Sequence, residues 1–228
     1  MRMPLTKYGL PQVLVLPILM LLAMIMLVPA PVPKWLVASI EVFLGVVLIW
    51  VLSFFRDPYR KIPNDSDLLL APADGRITDI ETVQEDDFIK GPALRIGIFL
   101  SIFDVHINRA PCNATVEKIF YKKGQYRDAR DPQAGRLNES NDLYLLRTDA
   151  PNDRLIVRQI SGAIARRIVC SAGQGQKLSG GQRFGMIKFG SRTELCLPAR
   201  EGVKCLVRTG DKVKAGLSGL VRYERWQD

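Results

Sequence analysis

Two stretches near the start of the chain restrict its fold more than any other feature. No charged residue occurs from Tyr8 to Pro33, and residues 10–30 read LPQVLVLPILMLLAMIMLVPA. A second run, residues 35–55, contains one charge, Glu41. Each run has 21 residues, and a helix of that length spans roughly 30 Å, the thickness of bilayer hydrocarbon. The Pro-rich turn Pro29-Ala30-Pro31-Val32-Pro33-Lys34 separates them. Trp35 and Trp50 lie near the ends of the second run, where aromatic belts form. Glu41 costs about 3 kcal/mol at a bilayer centre, less if shallow or facing the partner helix. A cleaved signal peptide fits the first run poorly: no A-x-A precedes a plausible cut, and a second apolar run follows at once. The expectation is a retained helical hairpin over residues 1–55, with helices at 10–30 and 35–55. The short turn permits either a double crossing or a dip from one side.

Arg2 and Lys7 precede the first run and Arg56, Arg60 and Lys61 follow the second, with Lys34 alone between. Positive-inside logic places the N-terminus and everything after Phe55 in the cytoplasm, at the cell membrane. Cys112, Cys170, Cys196 and Cys205 are then expected as reduced thiols, small buried residues on strands. The four Cys contain no close CxxC pair and there is one His in 228 residues, so a zinc ribbon, a dithiol motif and a two-His metal site are excluded. No metal is expected. Removing the hairpin leaves 29 basic against 22 acidic residues, a charge of +7 for 56–228. Anionic headgroups attract such a domain. The basic residues are scattered, without an aromatic RNP-like run or basic helix, so nucleic acid is not the expected partner.

Residues 56–228 read as β-rich. Strand-like runs recur at 68–71, 76–80, 94–100, 114–121, 143–147, 155–160, 186–189, 193–197, 203–207 and 217–223, between Gly-, Asn- and Asp-containing turns. Only 161–170, SGAIARRIVC, has an open helix reading, and 125–141 is polar and strand-poor. The pattern Gly202-Val203…Gly210-Asp211-Lys212-Val213-Lys214-Ala215-Gly216 looks like the hairpin of lipoyl or biotinyl carrier domains, and residues 70–77 resemble its opening strand. That suggests a mainly β barrel-sandwich of two small sheets behind the hairpin. Lys188 and Lys204 lack the context of a modified carrier lysine.

Four motifs then occur in order: Phe55-Arg56-Asp57-Pro58-Tyr59-Arg60-Lys61-Ile62-Pro63; Ala71-Pro72-Ala73-Asp74-Gly75; Phe103-Asp104-Val105-His106-Ile107-Asn108-Arg109-Ala110-Pro111; and Gly181-Gln182-Arg183-Phe184-Gly185-Met186-Ile187-Lys188-Phe189-Gly190-Ser191-Arg192, followed by Leu197-Pro198. Together they resemble phosphatidylserine decarboxylase proenzymes of the short bacterial and archaeal type, from about Phe55 to the C-terminus. The resemblance implies a zymogen that cuts itself between Gly190 and Ser191, giving a large chain 1–190 and a small chain 191–228. It also implies a pyruvoyl cofactor made from Ser191. In such a step the Ser191 hydroxyl attacks the Gly190 carbonyl, the ester eliminates to dehydroalanine, and hydrolysis yields pyruvoyl and ammonia. The pyruvoyl carbonyl forms a Schiff base with the amine of phosphatidylserine, and loss of CO2 leaves phosphatidylethanolamine, a step of phospholipid biosynthesis. His106 is the expected general base, oriented by Asp74. Asp104, on the same strand face as His106 at i, i+2, is the other candidate orienter.

Longer members carry a second His three residues on, where this chain has Arg109, so His106 either serves both self-processing and substrate protonation or shares them with water or substrate. The family's Asn-Glu-Arg is Asn138-Glu139-Ser140 here, which weakens a role for that loop. Arg109 and Arg183 are candidate contacts to the headgroup phosphate or carboxylate. Homo-oligomerisation is left open. The rival from another class is a non-catalytic membrane adaptor with a lipoyl-like domain, though no coiled-coil heptads occur. A pyruvoyl decarboxylase of a soluble amino acid gives no reason for the hairpin.

Overall fold

The computed structural model describes residues 5–29, 31–131, 133–163, 167–188 and 190–224. Ala30, residues 164–166 and Phe189, which end the expected first helix, fill the centre of 161–170 and end the expected strand 186–189, lie outside these. The chain packs as two units, residues 1–59 and 60–228.

In the first unit α1 (Leu10–Leu27) and α2 (Lys34–Phe54) follow the two apolar runs. α1 ends earlier than its run because Pro29 lacks the N–H a further turn needs and disfavours helix in the residue before it. Among the described helices α2 is long and apolar enough to cross a membrane. Thr6 N–H donates to the Phe55 carbonyl at 2.9 Å, so the residues before α1 lie beside the end of α2.

The second unit is mainly β. It contains β1 (Leu68–Leu70), β2 (Gly75–Glu85), β3 (Gly91–Leu100), β4 (Ile107–Arg109), β5 (Ala114–Lys122), the short helix α3 (Ala134–Leu137), β6 (Ser140–Arg147) and β7 (Arg154–Ile160). After these come β8 (Ile168–Cys170), β9 (Lys177–Leu178), β10 (Arg183–Ile187), β11 (Ser191–Pro198), β12 (Val203–Cys205), β13 (Lys212–Val213) and β14 (Gly219–Tyr223). The sheets are unequal: an eight-stranded curled antiparallel sheet, β13-β2-β3-β11-β7-β6-β5-β9, and two three-stranded ones, β1-β14-β12 and β4-β10-β8. Each of the ten strand-like runs overlaps a strand. β13 pairs with the start of β2, Val213 opposite Gly75, which joins the two segments that resemble a carrier-domain hairpin. β12 instead pairs with β14. Segment 161–170 ends in β8 and has no helix among its described residues, while 125–141 contains α3 and the start of β6.

The core explains the register of the large sheet. Ile96, Ile98, Leu143, Leu145, Leu155, Val157, Leu195 and Leu197 point to one face and are fully buried, each stabilising the fold by about 1.5–3 kcal/mol. The intervening residues of the central strands, Asp142, Arg158, Arg192 and Glu194, occupy the opposite face and pair with one another. A one-residue slip would drive those charges into the core, so register is tightly specified. Toward one end of the sheet the inner face becomes polar: Asn141 continues the Leu143 and Leu145 row, Gln159 the Val157 row, and Ser191 and Thr193 the Leu195 row.

Candidate active site

At this polar end two connections cross side by side between the large sheet and the β4-β10-β8 sheet. Leu100, the last residue of β3, faces Ser191, the first of β11. Ile107, opening β4, faces Met186 of β10. Residues 101–106 and 188–190 therefore bridge the same two pairs, and the Ile187 N–H donates to the His106 carbonyl at 3.3 Å. This register sets His106 beside Ile187, three residues before Gly190, and Ser191 opposite Leu100.

His106 is fully buried, with Nδ1 2.9 Å from the Asp104 carbonyl oxygen. A carbonyl only accepts, so in the neutral ring Nδ1 bears the hydrogen and Nε2 keeps a lone pair. The Asp104 carboxylate itself accepts from the Ser101 N–H at 2.8 Å and hydroxyl at 2.7 Å. Asp74 is engaged differently from the sequence expectation. Its Oδ1 accepts from Arg60 Nη1 at 2.6 Å and the Ala215 N–H at 2.8 Å, and its Oδ2 from Arg60 Nη2 at 2.8 Å. A bidentate guanidinium and a backbone donor take up the carboxylate, and the group seen to hold the His106 ring is a backbone carbonyl. Antiparallel pairing of Arg76 with Phe99 still carries Asp74 to this end of the sheet.

Ser191 is fully buried, and its hydroxyl has no hydrogen-bond partner among the described residues. Gly190 has φ +60°, a left-handed conformation that costs a residue with a Cβ about 1–2 kcal/mol. Its carbonyl lies against Gly162: a Cβ placed on Gly162 would be 2.2 Å from the Gly190 oxygen. Beside Gly190 opens a cavity of about 240 Å³ lined also by Phe99, Ser101, Ile102, Asp128, Ala129, Arg130 and Ala163.

A line of buried amides supports this end. Asn141 Nδ2 donates to Gln159 Oε1 at 3.0 Å, Gln159 Nε2 to Asn108 Oδ1 at 2.9 Å, and Asn108 Nδ2 to Thr193 Oγ1 at 3.1 Å. It ties β4, two residues after His106, to β11, two residues after Ser191. The signal missed in the sequence is amides at positions where strand alternation calls for apolar residues. Lys188 is buried two residues before Gly190, and burial and then the charge of Arg167 hold its ammonium pKa below the usual lysine range.

Arg109 is buried and donates to the Gly181 carbonyl at 3.0 Å; Arg183, exposed, faces it across the β4–β10 pair. Neither lines the cavity beside Gly190. All four cysteines are free thiols, and burial pushes those of Cys112 and Cys196 up to about 12.

Comparison with known proteins gives a consistent picture. The profile of the phosphatidylserine decarboxylase family matches residues 47–219. A phosphatidylserine decarboxylase proenzyme of Carboxydothermus hydrogenoformans is 42% identical over 191 residues, 82% of this chain and 88% of that one. One from Rhodopirellula baltica is 37% identical over 223 residues, covering 98% of this chain and 90% of its own length. One from Symbiobacterium thermophilum is 43% identical over 188 residues, covering 82% and 84%.

Proposed function

The chain belongs to the phosphatidylserine decarboxylase family, a family of carboxy-lyases, and from that premise we propose that it converts phosphatidylserine to phosphatidylethanolamine and CO2 after cutting itself between Gly190 and Ser191. The observation that carries the self-cutting is the buried Ser191 hydroxyl, without a hydrogen-bond partner among the described residues, next to a left-handed Gly190. With Nδ1 held by the Asp104 carbonyl, Nε2 is the nitrogen able to take the hydroxyl proton. The Ser191 oxygen then adds to the Gly190 carbonyl carbon, the C–N bond breaks, and the released nitrogen takes up a proton. Loss of the Ser191 α-proton expels the Gly190 carboxylate from the ester. Hydrolysis of the resulting dehydroalanine releases ammonia and leaves pyruvoyl at the head of residues 191–228.

The residues present fit that group: the precursor hydroxyl is held in a buried site with no competing bond among the described residues. When formed, pyruvoyl supplies a carbonyl that engages the substrate amine and accepts the electron pair left by CO2. The chain's own residues do the rest. The cavity beside Gly190 accommodates a serine headgroup, with Phe99 and Ile102 supplying apolar wall and Arg130, which pairs with Asp128 at 2.6 Å, the cation that a substrate carboxylate or phosphate would have to take from that partner. Arg60, by occupying Asp74, fixes the turn before β2 at this end of the sheet. His106 is the group positioned to move protons.

Residues 1–55 serve in this reading as the membrane hairpin, formed by α1 and α2 together, and residues 56–228 as a cytoplasmic decarboxylase domain. A lipid substrate gives the anchor its purpose. The test is lipid mass spectrometry of vesicles containing phosphatidylserine and the purified full chain. Phosphatidylethanolamine should accumulate with wild type and not with Ser191→Ala; no product from wild type would refute the proposal.

A further inference from the structure

We infer that Asn138 and Gly162 are positioning residues for the cut at Gly190–Ser191, an inference that rests on the self-cleavage reading. Asn138 is fully buried at the end of α3. Its Oδ1 accepts from the Arg127 N–H at 2.9 Å, and its Nδ2 donates to the Arg127 carbonyl at 2.9 Å and the Ser161 carbonyl at 2.8 Å. One amide thus clasps two of the segments that line the cavity beside Gly190: the chain leading to Asp128, Ala129 and Arg130, and the turn leading to Ala163. The next residue completes the grip. The Glu139 carbonyl accepts from the Ser161 N–H at 2.9 Å and from its hydroxyl at 3.1 Å.

Ser161 is held on three sides, and Gly162 follows it directly. A Cβ on Gly162 would meet the Gly190 oxygen at 2.2 Å, the Gly190 carbon at 3.1 Å and Ala129 Cβ at 3.3 Å. The bare α-carbon is therefore the surface against which the scissile carbonyl rests. Attack by the Ser191 oxygen requires that carbonyl to present one face, and a shift of about 1 Å can cost on the order of 100-fold in rate.

The experiment follows self-cleavage by intact mass in full-length precursor, comparing wild type, Asn138→Asp, Gly162→Ala and the double variant. Asn138→Asp keeps size and the acceptor oxygen and removes both donors, so its rate decides the matter even where Gly162→Ala fails to fold. Each folded single variant should cut at least about tenfold more slowly, and the double no more than about threefold slower than the slower single, because both act on one carbonyl. Hydroxylamine, which cuts esters and not amides, should release no additional fragment from the variant precursors, since the blocked step is the attack. Wild-type rates in folded Asn138→Asp would overturn the inference. So would multiplied slowing in the double, or an accumulated ester. An uncut wild-type chain would instead overturn the self-cleavage reading and this inference with it.

Discussion

Replacing Asn108 by Ala tests whether the amide line holds β4 to β11. Asn108 is fully buried; its amide donates to Thr193 Oγ1 at 3.1 Å and to the Pro72 carbonyl at 3.4 Å, and accepts from Gln159 at 2.9 Å. The partners are not equally exposed to the loss. Gln159 Nε2 keeps a second acceptor in the Val169 carbonyl at 3.3 Å, whereas Thr193 loses the side-chain partner seen here. A buried group left unsatisfied costs about 1–3 kcal/mol, so one full loss and one partial loss come to about 2–4 kcal/mol. That is a large share of a typical 5–15 kcal/mol of domain stability. The assay is urea unfolding of the detergent-solubilised full chain in a Ser191→Ala background, which keeps the chain intact. Asn113→Ala serves as control: Asn113 is exposed, bonding Gly180 and Asp149, and its loss should cost less than about 1 kcal/mol. Equal, small losses in both variants would refute the reasoning, because the buried amides would then be paired no better than surface ones. With Ser191 restored, Asn108→Ala should also slow self-cleavage.

Two further outcomes follow from the same geometry. Gly190→Ala should fold at a cost of about 1–2 kcal/mol, read as a lowered unfolding midpoint, because no described residue beyond its chain neighbours lies within 4 Å of the added Cβ and only the positive φ is penalised; a larger loss would contradict that open space. At Asp79, burial raises the carboxyl pKa, but the Thr78 hydrogen bond and the charges of Arg192 and Arg95 outweigh it and hold the pKa below the usual value. A depressed folded-state pKa contributes stability above the unfolded value of about 3.9 and loses it as pH falls through that range. Unfolding midpoints should therefore be flat near neutrality and drop below about pH 4, less steeply in Asp79→Asn; an unchanged acid limb in that variant would sink the assignment.

The strands were readable wherever alternation ran for several residues, as in β3, β6, β7 and β11. β4, β8, β9 and β13 have two or three residues each, too few to establish a period. α3 is a single turn inside a polar segment and depends on tertiary packing, Gly135 lying against Glu194. Gly190 and Ser191 were singled out by one motif and His106 by another 85 residues earlier, and the register that sets β3 beside β11 and β4 beside β10 lies outside the reach of either motif. Asp74 has a guanidinium partner that its motif did not indicate. Its guanidinium comes from Arg60, fourteen residues earlier, and nothing local distinguishes that arginine from Arg56 or Lys61. Gly162 was invisible for a related reason: its lack of a side chain matters only because a carbonyl 28 positions later folds against it.

The central claim is that Ser191 and Gly190 are built to be cut. Intact mass spectrometry of the purified protein beside Ser191→Ala tests it most directly. The account predicts two pieces from wild type, residues 1–190 and residues 191–228 with a pyruvoyl N-terminus, and one uncut chain from the variant. A single uncut chain in both samples would contradict it.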